Sequence, residues 1–391
     1  MDWNEKTAAN VKAIKPSGIR KFFDIAAQVK GVLSLSIGEP DFAAPDKVLA
    51  AMKASLDAKE TSYTGNSGMM ELREAISQHF EKRYGVHYDP KDEILVTVGV
   101  SEGLAMALLA ITEPGDEVII PDPAYVAYPA SVELAGGTPV FVPTYPEHDF
   151  KLTVEALEKV VTPKTKAIVI GYPNNPTGTV MSAEELMPIA KFAQEHDLIV
   201  LSDEIYCELM YGDAEFTSFA KLPGMRERTV IFNGFSKAYA MTGMRLGYVC
   251  APREGLAPIL KLHQYAIMCA NTTAQVGGIT ALKECDDDVE AMRQEYDRRR
   301  KVIYKGLCDM GLPVFEPKGA FYIFPDIRCT GMTSAEFCEK LVQEEKVAVV
   351  PGTAFGDQGE GFVRISYAAS MDTIEEALKR MARFVDKYKS C

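Results

Sequence analysis

The chain has 391 residues, 47% hydrophobic and 25% charged, with 55 acidic against 42 basic side chains and a formal charge of -13 at pH 7. That is enough apolar material for one large and one smaller domain, and the acidic balance excludes a nucleic-acid backbone as main partner. Residues 1–6 are polar and lead into no apolar leader, and the apolar run 103–111 is too short to cross a bilayer.

The eight cysteines and five histidines show neither CxxC nor metal-ligand spacing. The expectation is a cytoplasmic protein with reduced thiols, no metal and no membrane contact. Along the chain, short apolar runs at 94–98, 117–120, 139–142, 167–170, 198–201, 230–232 and 246–250 alternate with longer helical patterns. Such runs predict an α/β fold whose mainly parallel sheet is covered on both faces. Pro114-Gly115 stops the helix that begins near Ser101, and residues 173–178 read as a tight turn after a strand. From about residue 286 the pattern becomes a charged helix (289–305), strands at 320–324, 347–350 and 362–366, and a terminal helix at 373–388, which together form a smaller α+β domain. No repeat or low-complexity tract intervenes, so the two domains should pack closely around a cleft.

Chemistry-bearing residues cluster at the strand ends, where open α/β sheets bind ligands. Gly99-Val100-Ser101-Glu102-Gly103 joins a strand to a helix, so the N–H groups of 100–102 and the Ser101 hydroxyl can meet an anion. Without a Gly-x-Gly-x-x-Gly or Walker pattern, a phosphate fits better than a nucleotide. Tyr125 could stack on a flat ring or simply pack in the core. Asn175 could donate its amide to a ligand oxygen, although turn chemistry alone also explains an Asn-Pro. Asp203 ends the run 198–201 and could pair with a protonated heterocyclic nitrogen or N-cap the next helix; Tyr206 follows with a hydroxyl. Lys237, after the run 229–232, could form a Schiff base with an aldehyde cofactor and shuttle protons. A lone lysine is usually only solvated, so its company decides. Ser236 and Arg245 would complete the phosphate cup, and Arg364, interrupting the apolar run 362–366, calls for a carboxylate.

Together these segments resemble the fold-type I pyridoxal-phosphate enzymes, in particular the class I and II aminotransferases of the aspartate aminotransferase type, over essentially the whole chain. The most specific marks are Ser236-Lys237 with Gly243-x-Arg245-x-Gly247, Asn174-Asn175-Pro176-Thr177-Gly178, Ser202-Asp203-Glu204-Ile205-Tyr206 and Val363-Arg364-Ile365-Ser366. The resemblance implies a large domain at 43–285 with a seven-stranded sheet, and a small domain formed by 1–42 and 286–391. It implies that Lys237 holds pyridoxal 5'-phosphate covalently and moves the proton, that Asp203 pairs with the pyridinium nitrogen, and that Tyr206 and Asn175 reach the phenolate oxygen. Tyr125 would stack on the ring, while Val100, Ser101, Glu102, Ser236 and Arg245 would hold the phosphate. Arg364 would grip the substrate α-carboxylate with Asn175 and the Gly38 backbone. Tyr63 resembles the tyrosine lent to the neighbouring subunit's phosphate, which implies a homodimer with shared sites.

The implied reaction is ping-pong transfer of an amino group between an L-amino acid and a 2-oxo acid, with 2-oxoglutarate the expected acceptor and aspartate, aromatic or similar donors open. A carbon-sulfur β-lyase on the same scaffold is the rival, because the first steps are shared. A cofactor-sensing regulator would need a DNA-binding module, for which about 30 leading residues leave no room. Residues 17–19, Tyr125 and Asn271 are candidate substrate side-chain contacts, and Thr272 or Thr273 could reach the neighbour's phosphate.

Overall fold

Seven short runs of buried apolar residues form one sheet in the computed structural model, which describes residues 1–14, 18 and 29–389. After β1 (Leu33–Ser34), these are β2 (Ile94–Thr97), β3 (Glu117–Asp122), β4 (Thr138–Pro143), β5 (Thr165–Ile170), β6 (Ile199–Asp203), β7 (Thr229–Gly234) and β8 (Gly247–Cys250). Their spatial order is β2-β8-β7-β6-β5-β3-β4. Every pairing is parallel except those of β8, which runs antiparallel to both β2 and β7. The cause is the connection: residues 235–246 hold only short turns, at 236–239 and Thr242–Met244, and no crossover helix, so the chain must reverse.

Both faces of the sheet are buried, which is why the strands read as unbroken apolar runs. Leu95, Val118, Ile120, Val230 and Phe232 pack with Leu104 and Leu108 of the helix Gly99–Ile111 and with Leu256 and Ile259 of Arg253–Ala266. On the other face, Ile94, Val96 and Ile231 meet Leu72, Ile76 and Phe80 of the helix Met70–Tyr84. Ile119, Ile168 and Val200 meet Leu186, Ile189 and Phe192 of Ala183–Glu195, a helix begun by a Ser182–Glu185 capping box.

The remaining body has the helix Asp286–Asp309, β9 (Tyr322–Ile323), the helix Ser334–Glu345, β10 (Val347–Ala348), β11 (Val350–Pro351), β12 (Val363–Ser366) and the helix Met371–Tyr388. The order β11-β12-β9 is an antiparallel sheet, while β1 pairs in parallel with β10. The expected single strand at 347–350 is therefore broken at Val349 into two strands that serve different sheets. The expected helix at 289–305 starts earlier and runs longer, because Asp286, Asp287 and Asp288 suit a helix N-terminus. Its buried Arg299 pairs with Asp41 and Glu295, and Arg300 with Asp297 and Glu316. Tyr206, Leu209 and Tyr211, just beyond β6, pack with Tyr296, Phe321 and Tyr322, so the two bodies share apolar contacts beneath the cleft. Cys207, Cys250, Cys285 and Cys338 are buried free thiols. Among the described residues, no helix is long and apolar enough to cross a membrane.

Candidate active site

The loops that follow β2, β3, β5, β6 and β7 open onto one cavity of about 490 Å³, closed from the other side by Gly38, Tyr322 and Arg364. Parallel strands deliver all five loops to the same edge of the sheet.

Lys237 stands in the short β7–β8 connection, and its Nζ donates to the Gly38 carbonyl at 2.7 Å. The ring centroids of Phe321 and Tyr206 lie 5.7 and 5.9 Å away. Enclosure by protein, and then the charges of Arg364 and Arg245, pull this amine down to about 8 against the opposing influence of Glu39 and Asp203. An ammonium that gives up its proton near neutrality is a nucleophile and a base.

Asp203 ends β6, and no helix follows it. Its Oδ1 accepts the Ile205 N–H at 3.3 Å in an Asx-type turn, so the helix-capping alternative does not occur. Oδ2 accepts the Tyr128 hydroxyl at 2.8 Å. Burial pushes the carboxyl above its usual range despite both bonds and the Lys237 charge. Among the described residues only neutral donors touch this buried acid, an arrangement that a cation in the cavity would relieve.

Tyr206 and Tyr322 share a hydrogen bond of 2.9 Å between their hydroxyls. Arg364, 3% exposed, donates through Nη2 to the Ser36 carbonyl at 2.7 Å and through Nη1 to Asn175 Oδ1 at 3.0 Å. Its guanidinium lies between the rings of Tyr322 and Phe355, 4.5 and 4.8 Å from their centroids. Among the described residues its Nε has no partner, and burial pulls the group below its usual range. A buried guanidinium without a carboxylate has donors to spare for an anion. With Oδ1 committed to Arg364, the Asn175 amide nitrogen is the end left to donate.

The helix Gly99–Ile111 starts without a side-chain cap at Val98. Its first N–H groups, those of Gly99, Val100 and Ser101, have no intrahelical acceptor. Gly99 has φ +74°, and a Cβ there would lie 2.7 Å from Arg245 Nη2, so glycine lets Arg245 lie across the helix start. Arg245 Nη1 donates to the Thr242 carbonyl at 3.1 Å, and Ser101 and Ser236 line the same cavity. This is a ready anion site. Glu102 sits one position deeper in the helix, off the cavity wall. Its carboxylate accepts the Val98 N–H at 2.8 Å and pairs with buried His263 at 2.9 Å.

Of the residues expected to hold the cofactor and the substrate carboxylate, the cavity gathers all except Glu102 and Tyr63. Tyr63 is 80% exposed, on a loop held by the Thr272 hydroxyl to the Ser62 carbonyl and by Gln275 to Thr64. Asn271 N-caps the helix Thr272–Glu284 and, with Thr273, lines a neighbouring hollow beside Arg245. Ser17 and Ile19 lie outside the described residues. Tyr128 and Tyr322 contribute contacts that sequence reasoning missed. The only signal was the spacing of Tyr128 three residues after Tyr125 on the same side of a helical turn.

Residues 30–381 match the family model for class I and II aminotransferases. An aspartate aminotransferase of Pyrococcus abyssi is 50% identical over 96% of this chain and 97% of its own length. An aromatic-amino-acid aminotransferase of Thermococcus litoralis is 47% identical, over 97% and 98%. The crystal structure of an aromatic aminotransferase from Pyrococcus horikoshii superposes with a TM-score of 0.90 at 49% identity, over 94% of this chain and 99% of that one.

Proposed function

Because the chain belongs to the class I and II aminotransferases, enzymes that move an amino group between an amino acid and a 2-oxo acid, we propose that its cavity holds pyridoxal 5'-phosphate and uses the residues gathered there for that transfer. The observation that carries this reading is the pairing, in one cavity, of an amine brought down to about 8 with a buried carboxyl that lacks a cationic partner. The residues fit the cofactor at each end. Asp203 suits a protonated ring nitrogen, Tyr125 the ring face, and Tyr206 and Asn175 the phenolate oxygen. The start of the helix Gly99–Ile111, Ser101, Ser236 and Arg245 suit a phosphate. When bound, the cofactor supplies an aldehyde to capture the amino group and a ring that withdraws electrons from the substrate α-carbon.

The chain's own part is to bind, orient and move one proton. Arg364 orients the substrate α-carboxylate beside Asn175 and Gly38. Lys237 Nζ takes the α-proton and delivers it elsewhere, a role worth roughly a hundred- to ten-thousandfold in rate. Asp203, held by Tyr128, would face the cofactor's ring nitrogen. We place the large body at 43–285 and the small one at 1–42 with 286–391, supported by the pairing of β1 with β10. Closure of the second on the first would exclude water from the reacting carbon. Exposed Tyr63 would complete the partner's phosphate site in a cytoplasmic homodimer.

The names of the relatives favour transfer over β-lyase chemistry and point to aspartate or an aromatic amino acid as donor, with 2-oxoglutarate as acceptor. A panel of amino acids assayed with 2-oxoglutarate and pyruvate tests the substrate, and Lys237→Ala tests the site. Loss of the visible absorbance of bound cofactor together with turnover is expected. A Lys237→Ala variant that keeps both would refute the assignment.

A further inference from the structure

Asp122, the last residue of β3, is a buried acid that the transfer reaction does not use. Its Oδ2 accepts the backbone N–H groups of Asp357 and Gln358 at 3.1 and 3.4 Å, across the cleft between the two bodies. Its Oδ1 is buried without a partner among the described residues. Gly356 has φ +138°, and a Cβ there would overlap that oxygen, so only glycine lets the 355–358 segment come this close. Two residues further on, the Ala124 N–H donates to the Phe355 carbonyl at 2.9 Å. The Phe355 ring in turn lies against the Arg364 guanidinium. From behind, the Thr144 N–H and hydroxyl both bond the Asp122 carbonyl, at 2.8 and 2.9 Å, and fix the end of β3.

These contacts make a chain from large body to substrate: Asp122 to the 355–358 backbone, Phe355 to Arg364. We propose that Asp122 is a positioning residue, a latch that docks the 355–358 segment and thereby holds Phe355 against Arg364 in the orientation that receives the substrate carboxylate. Burial pushes its carboxyl up to about 6, with Asp357 the ionisable neighbour that adds to the effect, so at neutral pH it remains mostly an ionised acceptor. The same loop carries Tyr125, so one segment of chain sets both the cofactor face and the carboxylate site. The inference rests on the reading that Arg364 binds the substrate α-carboxylate.

The test compares steady-state kinetics of the cofactor-loaded enzyme with Asp122→Ala, Asp122→Asn and Phe355→Leu. Loss of the acceptor shared by these two part-buried N–H groups should raise KM for the amino acid about ten-fold, with kcat within about three-fold and cofactor absorbance unchanged. Asparagine keeps an acceptor oxygen in place and should restore KM to within about three-fold of wild type. Phe355→Leu leaves both backbone bonds intact but removes the ring, and should raise KM several-fold. An unchanged KM in Asp122→Ala or Phe355→Leu overturns the latch, as does a loss confined to kcat or to cofactor retention. Arg364→Lys is the separate control: if its KM is also unchanged, the carboxylate reading fails rather than the latch alone.

Discussion

Capture of an aldehyde requires a neutral amine, and the enclosure of Lys237 fixes how much of it exists at a given pH. Brought down from 10.5 to about 8, the side chain is neutral in about one molecule in ten at pH 7, against about one in three thousand for an ordinary lysine. The rate at which cofactor-free protein captures pyridoxal phosphate should therefore rise about tenfold per pH unit up to about 8 and then level off. Rapid mixing followed by absorbance reads this directly. A rate that keeps climbing tenfold per unit to pH 10 would refute the reasoning. Replacing Arg364 with Gln removes the largest charge that lowers the group and should move the plateau to higher pH. The same shift acts on stability. Between about 8 and 10.5 the unfolded chain binds the proton and the folded one does not, so stability rises with pH across that window. Without cofactor, Lys237→Met should gain up to about 3 kcal/mol at pH 7, a gain that disappears towards pH 10.5 in denaturant titrations.

Two further outcomes follow from the geometry. Tyr128→Phe removes the hydroxyl that holds Asp203 Oδ2, a bond to a charged group worth about 1.5–3 kcal/mol. Cofactor affinity measured by titration should fall about ten-fold or more, and an unchanged affinity would mean that Asp203 needs no such support. Gly99→Ala places a methyl against Arg245 Nη2 at a left-handed backbone position. It should weaken phosphate-bearing cofactor far more than pyridoxal lacking the phosphate, and equal losses for the two ligands would remove Arg245 from the phosphate site.

The strands of the large sheet were legible because burial on both faces leaves a run such as Ile94–Thr97 or 230–232 almost wholly apolar. The small body was harder. Its strands are two to four residues long, and the break at Val349 depends on which sheet each half joins. The reversed direction of β8 leaves no mark in its own residues, since it follows from the length of the loop before it. Within the site, Lys237, Asp203, Arg245 and Arg364 stood out as charged residues at the ends of, or within, apolar runs. Tyr128 and Tyr322 did not, because a tyrosine in an apolar setting looks like core until its hydroxyl is seen to meet Asp203 or Tyr206. The side-chain partner of Glu102 was equally hidden: the turn 99–103 gives no sign that its carboxylate meets His263, more than 150 residues away.

The hairpin formed by β7 and β8 has a consequence for how such an enzyme can change. Lys237 and Arg245, which on this reading would meet the cofactor's aldehyde and its phosphate, sit on one loop whose ends are clamped where Gly234 pairs with Gly247. That loop acts as a ruler: the span from aldehyde to phosphate is set locally, within a dozen residues. Arg364 and the Gly38 turn arrive from distant parts of the chain and a different body. Alterations on the substrate side therefore leave the ruler untouched, and amino-acid preference can drift while the cofactor grip stays constant.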